Sequence, residues 1–163
     1  MRSKSLVAAS AGAIAVATLS MGAGSASATA NDAVWTQIVN NKAQRCLSLA
    51  GGGSTADGTN AVIFDCNGGA EQSWSLTVNG ELRNKKSNKC LSTASGGGTA
   101  NGTEVVEWTC NGGAEQAWIS RNAGQLVNVK SGTCLSTASG GGTANNTKTI
   151  IWTCNNGPEQ TWL

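Results

Sequence analysis

"CLSTASGGGTAN" runs from Cys90 to Asn101 and recurs letter for letter from Cys134 to Asn145, with a looser copy, "CLSLAGGGSTAD", from Cys46 to Asp57. The cysteines that open these phrases fall 44 residues apart. The same step links Cys66, Cys110 and Cys154, then Gln72, Gln116 and Gln160, then Trp74, Trp118 and Trp162, then Asn40, Asn84 and Asn128. A period of this size makes each copy one supersecondary unit that cannot bury its apolar face alone, so three units must close on one another. The copies fall at about 32–75, 76–119 and 120–163, which leaves no room for a second domain after residue 31.

Within a copy the pattern is all-β. "SWSLTVNGELRN" (Ser73–Asn84) is two short runs around Asn79-Gly80, the dipeptide of a type I′ hairpin. "KCLSTA" (Lys89–Ala94) and "TEVVEWTC" (Thr103–Cys110) are further β-type runs, separated by a loop rich in turn formers, "SGGGTANG". That gives about four strands per copy and about twelve in all, with no helical period in any later window. Three units are few for a propeller, which typically has about four to eight blades.

The first thirty residues read differently. A basic start ("MRSK"), an Ala-rich apolar run and "SASATA" have the layout of a secretory signal peptide cut after Ala28 or Ala30. A secreted, extracellular protein is expected, with no membrane insertion. Without Arg2 and Lys4 the chain has nine basic and nine acidic residues. Such a balance does not draw a protein to nucleic acid. Arg83, Lys85, Lys86 and Lys89 form the one local basic cluster, read as a solvated face. Asn101 and Asn145 each begin a glycosylation sequon, in text repeated for other reasons.

Six cysteines in an exported chain point to disulfides. Sequence alone allows fifteen pairings. Identical units fold alike, so Cys46–Cys66, Cys90–Cys110 and Cys134–Cys154 is the simplest set, leaving no free thiol. Closing loops of this length contributes roughly 3 kcal/mol each in the chain-entropy model. That matters for a chain with 22 glycines and few large apolar residues. With no histidine and no C-x-x-C pair, neither a metal site nor a cofactor is expected.

"VIFDCNGGAEQSW" (Val62–Trp74), "VVEWTCNGGAEQAW" (Val105–Trp118) and "IIWTCNNGPEQTW" (Ile150–Trp162), each following a "CL" and a Gly-rich loop, resemble the ricin B-type lectin family, whose signature is a triple Q-x-W with one disulfide per repeat. The match covers all the sequence after the leader. The resemblance implies a β-trefoil: twelve strands, six in a short barrel and six capping it, with pseudo-threefold symmetry. "AVWTQIVN" (Ala33–Asn40) is then expected to supply the closing strand, with Trp35 plugging the seam. Trp74, Trp118 and Trp162 are expected in the core, where their large apolar area is buried and the indole N–H finds a partner.

The family also implies where sugar would sit. Phe64, Trp108 and Trp152 occupy the place of the aromatic platform under the sugar ring, and the first copy, with Phe, is expected to bind weakest. Ser48, Ser92 and Ser136 stand where binding members typically hold Asp, and Glu71, Glu115 and Glu159 where they typically hold Asn. These two places face each other across the sugar, so the carboxylate is expected to have moved to the opposite wall. Catalysis finds no support: there is no histidine to activate a nucleophile. The recurring acid comes once per copy, not as a pair across one bond. The function expected is a non-enzymatic lectin with up to three shallow sites, acting by avidity on a polysaccharide or glycoprotein glycan. The alternative is a trefoil that has lost sugar binding and serves as a protein-interaction module, either an inhibitor or the targeting subunit of a multi-chain toxin.

Overall fold

The computed structural model describes residues 33–121 and 123–163. The leader at 1–30 lies outside the described residues. Twelve strands occur among them: β1 Thr36–Gln37, β2 Val39–Asn40, β3 Arg45–Leu49, β4 Ala61–Phe64, β5 Ser73–Leu76, β6 Leu82–Asn84, β7 Cys90–Thr93, β8 Val105–Trp108, β9 Trp118–Arg121, β10 Gln125–Asn128, β11 Cys134–Thr137 and β12 Thr147–Trp152. Twelve is the expected number, reached unevenly. The first strand position is split into β1 and β2, whereas the last is reduced to a single bridge, Asn40 to Trp162. No helix among these residues is long and apolar enough to cross a membrane.

The β-trefoil follows from how the copies pair. Each contributes a hairpin in which "CLS" runs antiparallel to the strand carrying the aromatic: β3 with β4, β7 with β8, β11 with β12. The second strands of these hairpins then meet around the axis, through Asn60–Val106, Glu104–Ile150 and Lys148–Val62. The ends of the fold zip together as well: Val39 N–H donates to the Leu163 carbonyl and Leu163 N–H to that of Val39, both at 2.8 Å. "AVWTQIVN" is therefore the closing segment. Leu47, Leu91, Leu135, Ile63, Ile151 and Val105 fill the core that the three copies share. The disulfides join Cys46 to Cys66, Cys90 to Cys110 and Cys134 to Cys154, and no cysteine is free.

The Q-x-W residues are structural, and each half of the motif has its own task. Gln72, Gln116 and Gln160 are buried; each accepts from the N–H of the residue after the disulfide cysteine and donates to the carbonyl before it, at 2.8–3.0 Å. The tryptophans donate their indole N–H to the carbonyl of the Leu in "CL": Trp74 to Leu47 and Trp118 to Leu91 at 2.9 Å, Trp162 to Leu135 at 3.0 Å. A large ring can thus be buried without stranding its one polar atom. Asn84, Asn128 and Asn40 each donate to the carbonyl of the Glu before Q-x-W, all at 2.9 Å. In each case the Glu belongs to the preceding copy, so Asn40 closes the ring onto Glu159.

One expectation is corrected. The hairpin at Asn79-Gly80 is not type I′, because only Gly80 has a positive φ (+81°). Gly80 N–H donates to Thr77, and Thr77 N–H to Glu81, so the loop is a tight turn followed by a left-handed Gly that bulges the strand. The bulge brings the Gly80 carbonyl within 2.8 Å of Trp118 N–H, and a Cβ on Gly80 would press on the Trp118 backbone at 3.1 Å. The basic cluster lies at the surface: Lys85 and Lys86 are exposed, Arg83 pairs with Glu81, Lys89 with Asp57, and Lys86 reaches the Gly52 carbonyl.

One break in the threefold pattern places a carboxyl in the interior. Glu107 lies opposite Leu91, where the other copies place Ile63 and Ile151, and it is fully buried. Ser87 donates to one carboxyl oxygen at 2.6 Å, while the other has no partner. Burial pushes the Glu107 pKa up, against the hydrogen bond from Ser87 and the charge of Lys89. A carboxyl whose folded pKa is raised stabilises most below its unfolded pKa and loses that contribution as pH rises through the folded value. The Glu107→Ile/Ser87→Ala double variant, which copies the first repeat, is expected to gain about 1 kcal/mol or more at neutral pH. The gain should shrink as pH falls. Thermal unfolding at several pH values tests this; a loss of stability at neutrality would mean the carboxylate is better accommodated than its burial implies.

Candidate functional site

Period-two alternation decides which side chains share a face. Cys46 pairs with Phe64 and Ser48 with Val62, so Ser48 and Phe64 project from the same side of their hairpin. The register repeats for Ser92 with Trp108 and for Ser136 with Trp152. After the Ser the chain enters a single tight turn, Ala50–Gly53, Ala94–Gly97 or Ala138–Gly141, closed by a backbone bond to the carbonyl of its first Ala. Three residues inside each turn are left-handed, with φ between +57° and +85°. The third wall is the short 3-10 segment before Q-x-W (Ala70–Gln72, Ala114–Gln116, Pro158–Gln160), which carries the Glu.

These walls converge. Ser92, Trp108 and Glu115 line one concavity of about 500 Å³, and Ser48, Phe64 and Glu71 another of about 360 Å³. The third copy has the same register, and its Gly141 approaches Glu159 as Gly97 approaches Glu115. All nine residues singled out in the sequence therefore fall in three equivalent places. Trp108 and Trp152 are 46 % and 44 % exposed, against 1 % for Trp118, which separates surface rings from core rings. Phe64 is half-buried. The serines are only 4 % exposed, so they form the floor and not the rim.

The Glu carboxylates are tethered. Each accepts from the side-chain amide of Asn67, Asn111 or Asn155, four residues earlier, at 3.0 Å. In Glu115 its own backbone N–H and then the Asn111 amide, with Lys130 adding charge, hold the pKa below the ordinary glutamate value. In Glu159 the Asn155 amide comes first, then its own N–H, with Lys42 nearby. Glu115 and Glu159 are ionised, oriented acceptors at neutral pH.

Three further sets at the 44-residue step were missed in the sequence. Asn67, Asn111 and Asn155 orient the Glu. Lys42, Lys86 and Lys130 reach across from a neighbouring copy to the turn carbonyls of Gly140, Gly52 and Gly96 at 3.1–3.5 Å, beside the Glu. Asp57, Asn101 and Asn145 accept from the backbone N–H of Thr109, Thr153 and Asp65 at 2.8–2.9 Å, just beyond the aromatic of the next copy. Their common period was the available signal; nothing local marks their roles. Asn101 and Asn145 are the sequon residues, and their side chains are occupied by these contacts. The one cluster of potential metal ligands among the described residues is Glu81 with Cys90 and Cys110. Its sulfurs are closed in a disulfide, so it cannot bind a metal as thiolates do.

Residues 34–162 match the family model for the ricin-type beta-trefoil lectin domain. A search of curated proteins gave no match. Among solved structures, the designed threefold-symmetric protein ThreeFoil is similar at 25 % identity and a TM-score of 0.72, over 78 % of this chain and 95 % of that one. The agglutinin of Abrus precatorius is similar at 21 % identity and a TM-score of 0.70, over 80 % of this chain but 48 % of that one. The C-half of the earthworm R-type lectin, in complex with GalNAc, is similar at 15 % identity and a TM-score of 0.68, over 79 % and 95 %. An exo-beta-1,3-galactanase from Clostridium thermocellum, of which the chain spans only 30 %, shares the fold at a TM-score of 0.72. The chain belongs to the ricin-type β-trefoil lectin family.

Proposed function

We propose that this member of the ricin-type β-trefoil lectin family is a secreted, non-enzymatic protein that binds carbohydrate through shallow pockets, one per repeat. The observation that carries the reading is the recurrence, in one concavity, of an exposed aromatic ring, a buried serine hydroxyl and a tethered carboxylate. A sugar ring has an apolar C–H face and a polar rim, so it needs a flat partner below and hydrogen-bonding groups at its edge. Trp108 and Trp152 supply the first, and Glu115 with Ser92 and Glu159 with Ser136 the second. The earthworm lectin fragment of the same fold carries GalNAc. Three weak sites on one body gain by avidity on a polysaccharide or a glycoprotein glycan.

In this reading the acceptor that anchors the sugar hydroxyls is the Glu, since a charged acceptor makes the stronger hydrogen bonds. A glycan array, run with the wild type and the Glu115→Gln/Glu159→Gln double variant, tests both levels. The wild type is expected to give hits that the variant loses. Unchanged hits in the variant would remove the carboxylate from the site. A wild type with none would instead favour the protein-interaction module. The depressed pKa values of Glu115 and Glu159 set the pH dependence: both acids keep their charge to a lower pH than an ordinary glutamate does. Binding is therefore expected to fail, as the acceptors become protonated, at a lower pH than titration of an ordinary glutamate would give.

A further inference from the structure

The three pockets are not chemically alike, and the difference lies on the wall that a neighbouring repeat contributes. Positions 58, 102 and 146 are equivalent. Each donates its backbone N–H to the residue just before the aromatic: Gly58 to Glu107, Gly102 to Ile151 and Asn146 to Ile63, all at 2.9 Å. All three are left-handed, at φ +85°, +87° and +66°. Where the aromatic is Trp, the facing residue is Gly. A Cβ on Gly58 would lie 3.6 Å from Cζ3 of Trp108, and one on Gly102 3.7 Å from Cζ3 of Trp152. A Cβ fits there, but a longer side chain must either cross the ring edge or turn away from it.

Where the aromatic is the smaller Phe64, the facing residue is Asn146. It lines the first-repeat concavity and is exposed, and its carboxamide has no partner among the described residues. Asn tolerates a left-handed φ better than most residues, yet Gly serves the backbone at least as well in the other two copies. What Asn adds is a donor and an acceptor beside the ring. We propose that Asn146 is a specificity-determining residue of the first-repeat pocket, hydrogen-bonding a sugar hydroxyl at the edge of the ring stacked on Phe64. The pockets facing Gly58 and Gly102 offer no such group, so the first pocket discriminates by hydroxyl configuration at that edge and is not merely a weaker copy. The inference rests on the carbohydrate-binding reading above.

Asn146→Gly separates the amide from the backbone, because Gly keeps the left-handed turn. In the full chain bearing Trp108→Ala and Trp152→Ala, only the first pocket keeps its ring. NMR titration of this background with the methyl glycosides of galactose, N-acetylgalactosamine, mannose and xylose is expected to give one preferred sugar. Adding Asn146→Gly should weaken that sugar about tenfold, level the preference among the four and leave the unfolding temperature in place. Identical affinities and preference with Gly would overturn the proposal. So would a background that binds none of the four while the wild type binds at Trp108 and Trp152, and in that case the carbohydrate reading would stand. A wild type that binds none of the four at any pocket would remove that reading, and this proposal with it.

Discussion

A Trp118→Ala variant is expected to lose about 3–5 kcal/mol of stability, the range for truncating a core aromatic. Trp118 is 1 % exposed, so its removal leaves a cavity where the three copies meet. Two polar consequences add to the packing loss. The Leu91 carbonyl loses the indole N–H at 2.9 Å, and a buried acceptor without a partner costs about 1–3 kcal/mol. The strand that begins at Trp118 also seats the Gly80 hairpin tip through its backbone, so a collapse around the cavity would pull on the neighbouring hairpin. Urea unfolding should show a lower midpoint with an unchanged slope. A cost below about 1 kcal/mol would place Trp118 outside the core.

The Trp108→Ala/Trp152→Ala double variant is expected to do the opposite: to remove most glycan binding while leaving the fold in place. Both rings are nearly half exposed, so truncation returns little buried area to water. The edge of each ring lies beside a left-handed glycine of the preceding copy. An anchoring aromatic is commonly worth about 2 kcal/mol or more to a binding site, roughly thirtyfold in affinity. On a polyvalent glycan the two losses compound, because avidity depends on engaging more than one site. Calorimetry against an array-positive glycoprotein, beside thermal unfolding, checks both halves. Were this variant to unfold as readily as the Trp118 one, the rings would be core residues and the platform assignment would fall.

The sequence carried the architecture because the architecture is periodic. One step of 44 residues gave the number of units and made pairing within each copy the simplest disulfide set, and the resemblance to the lectin family added the separation of core from surface tryptophans. Each of those follows from how one copy folds on itself, and identical text folds alike. The Ser, the aromatic and the Glu of each pocket belong to the same copy, so the text that repeats them also brings them together. What the sequence misread was local but conditional. Asn79-Gly80 favours a type I′ turn in isolation, and docking against the backbone of Trp118 selects a bulged turn instead.

The remainder belongs to contacts between copies. Lys42 lies 98 residues from the Gly140 carbonyl it reaches, and Asn40 lies 119 from Glu159. The Asn146 backbone N–H donates to the Ile63 carbonyl, in a copy at the other end of the sequence. Periodicity reports what a unit does for itself; it does not say which neighbour's side chain closes its pocket, because that depends on how three units turn about a shared axis. Glu107 is the sharpest case. In the text it is one acid in a β run, and only the closed barrel, by placing it where Ile63 and Ile151 sit in the other copies, turns it into a buried carboxyl with an oxygen left unpaired.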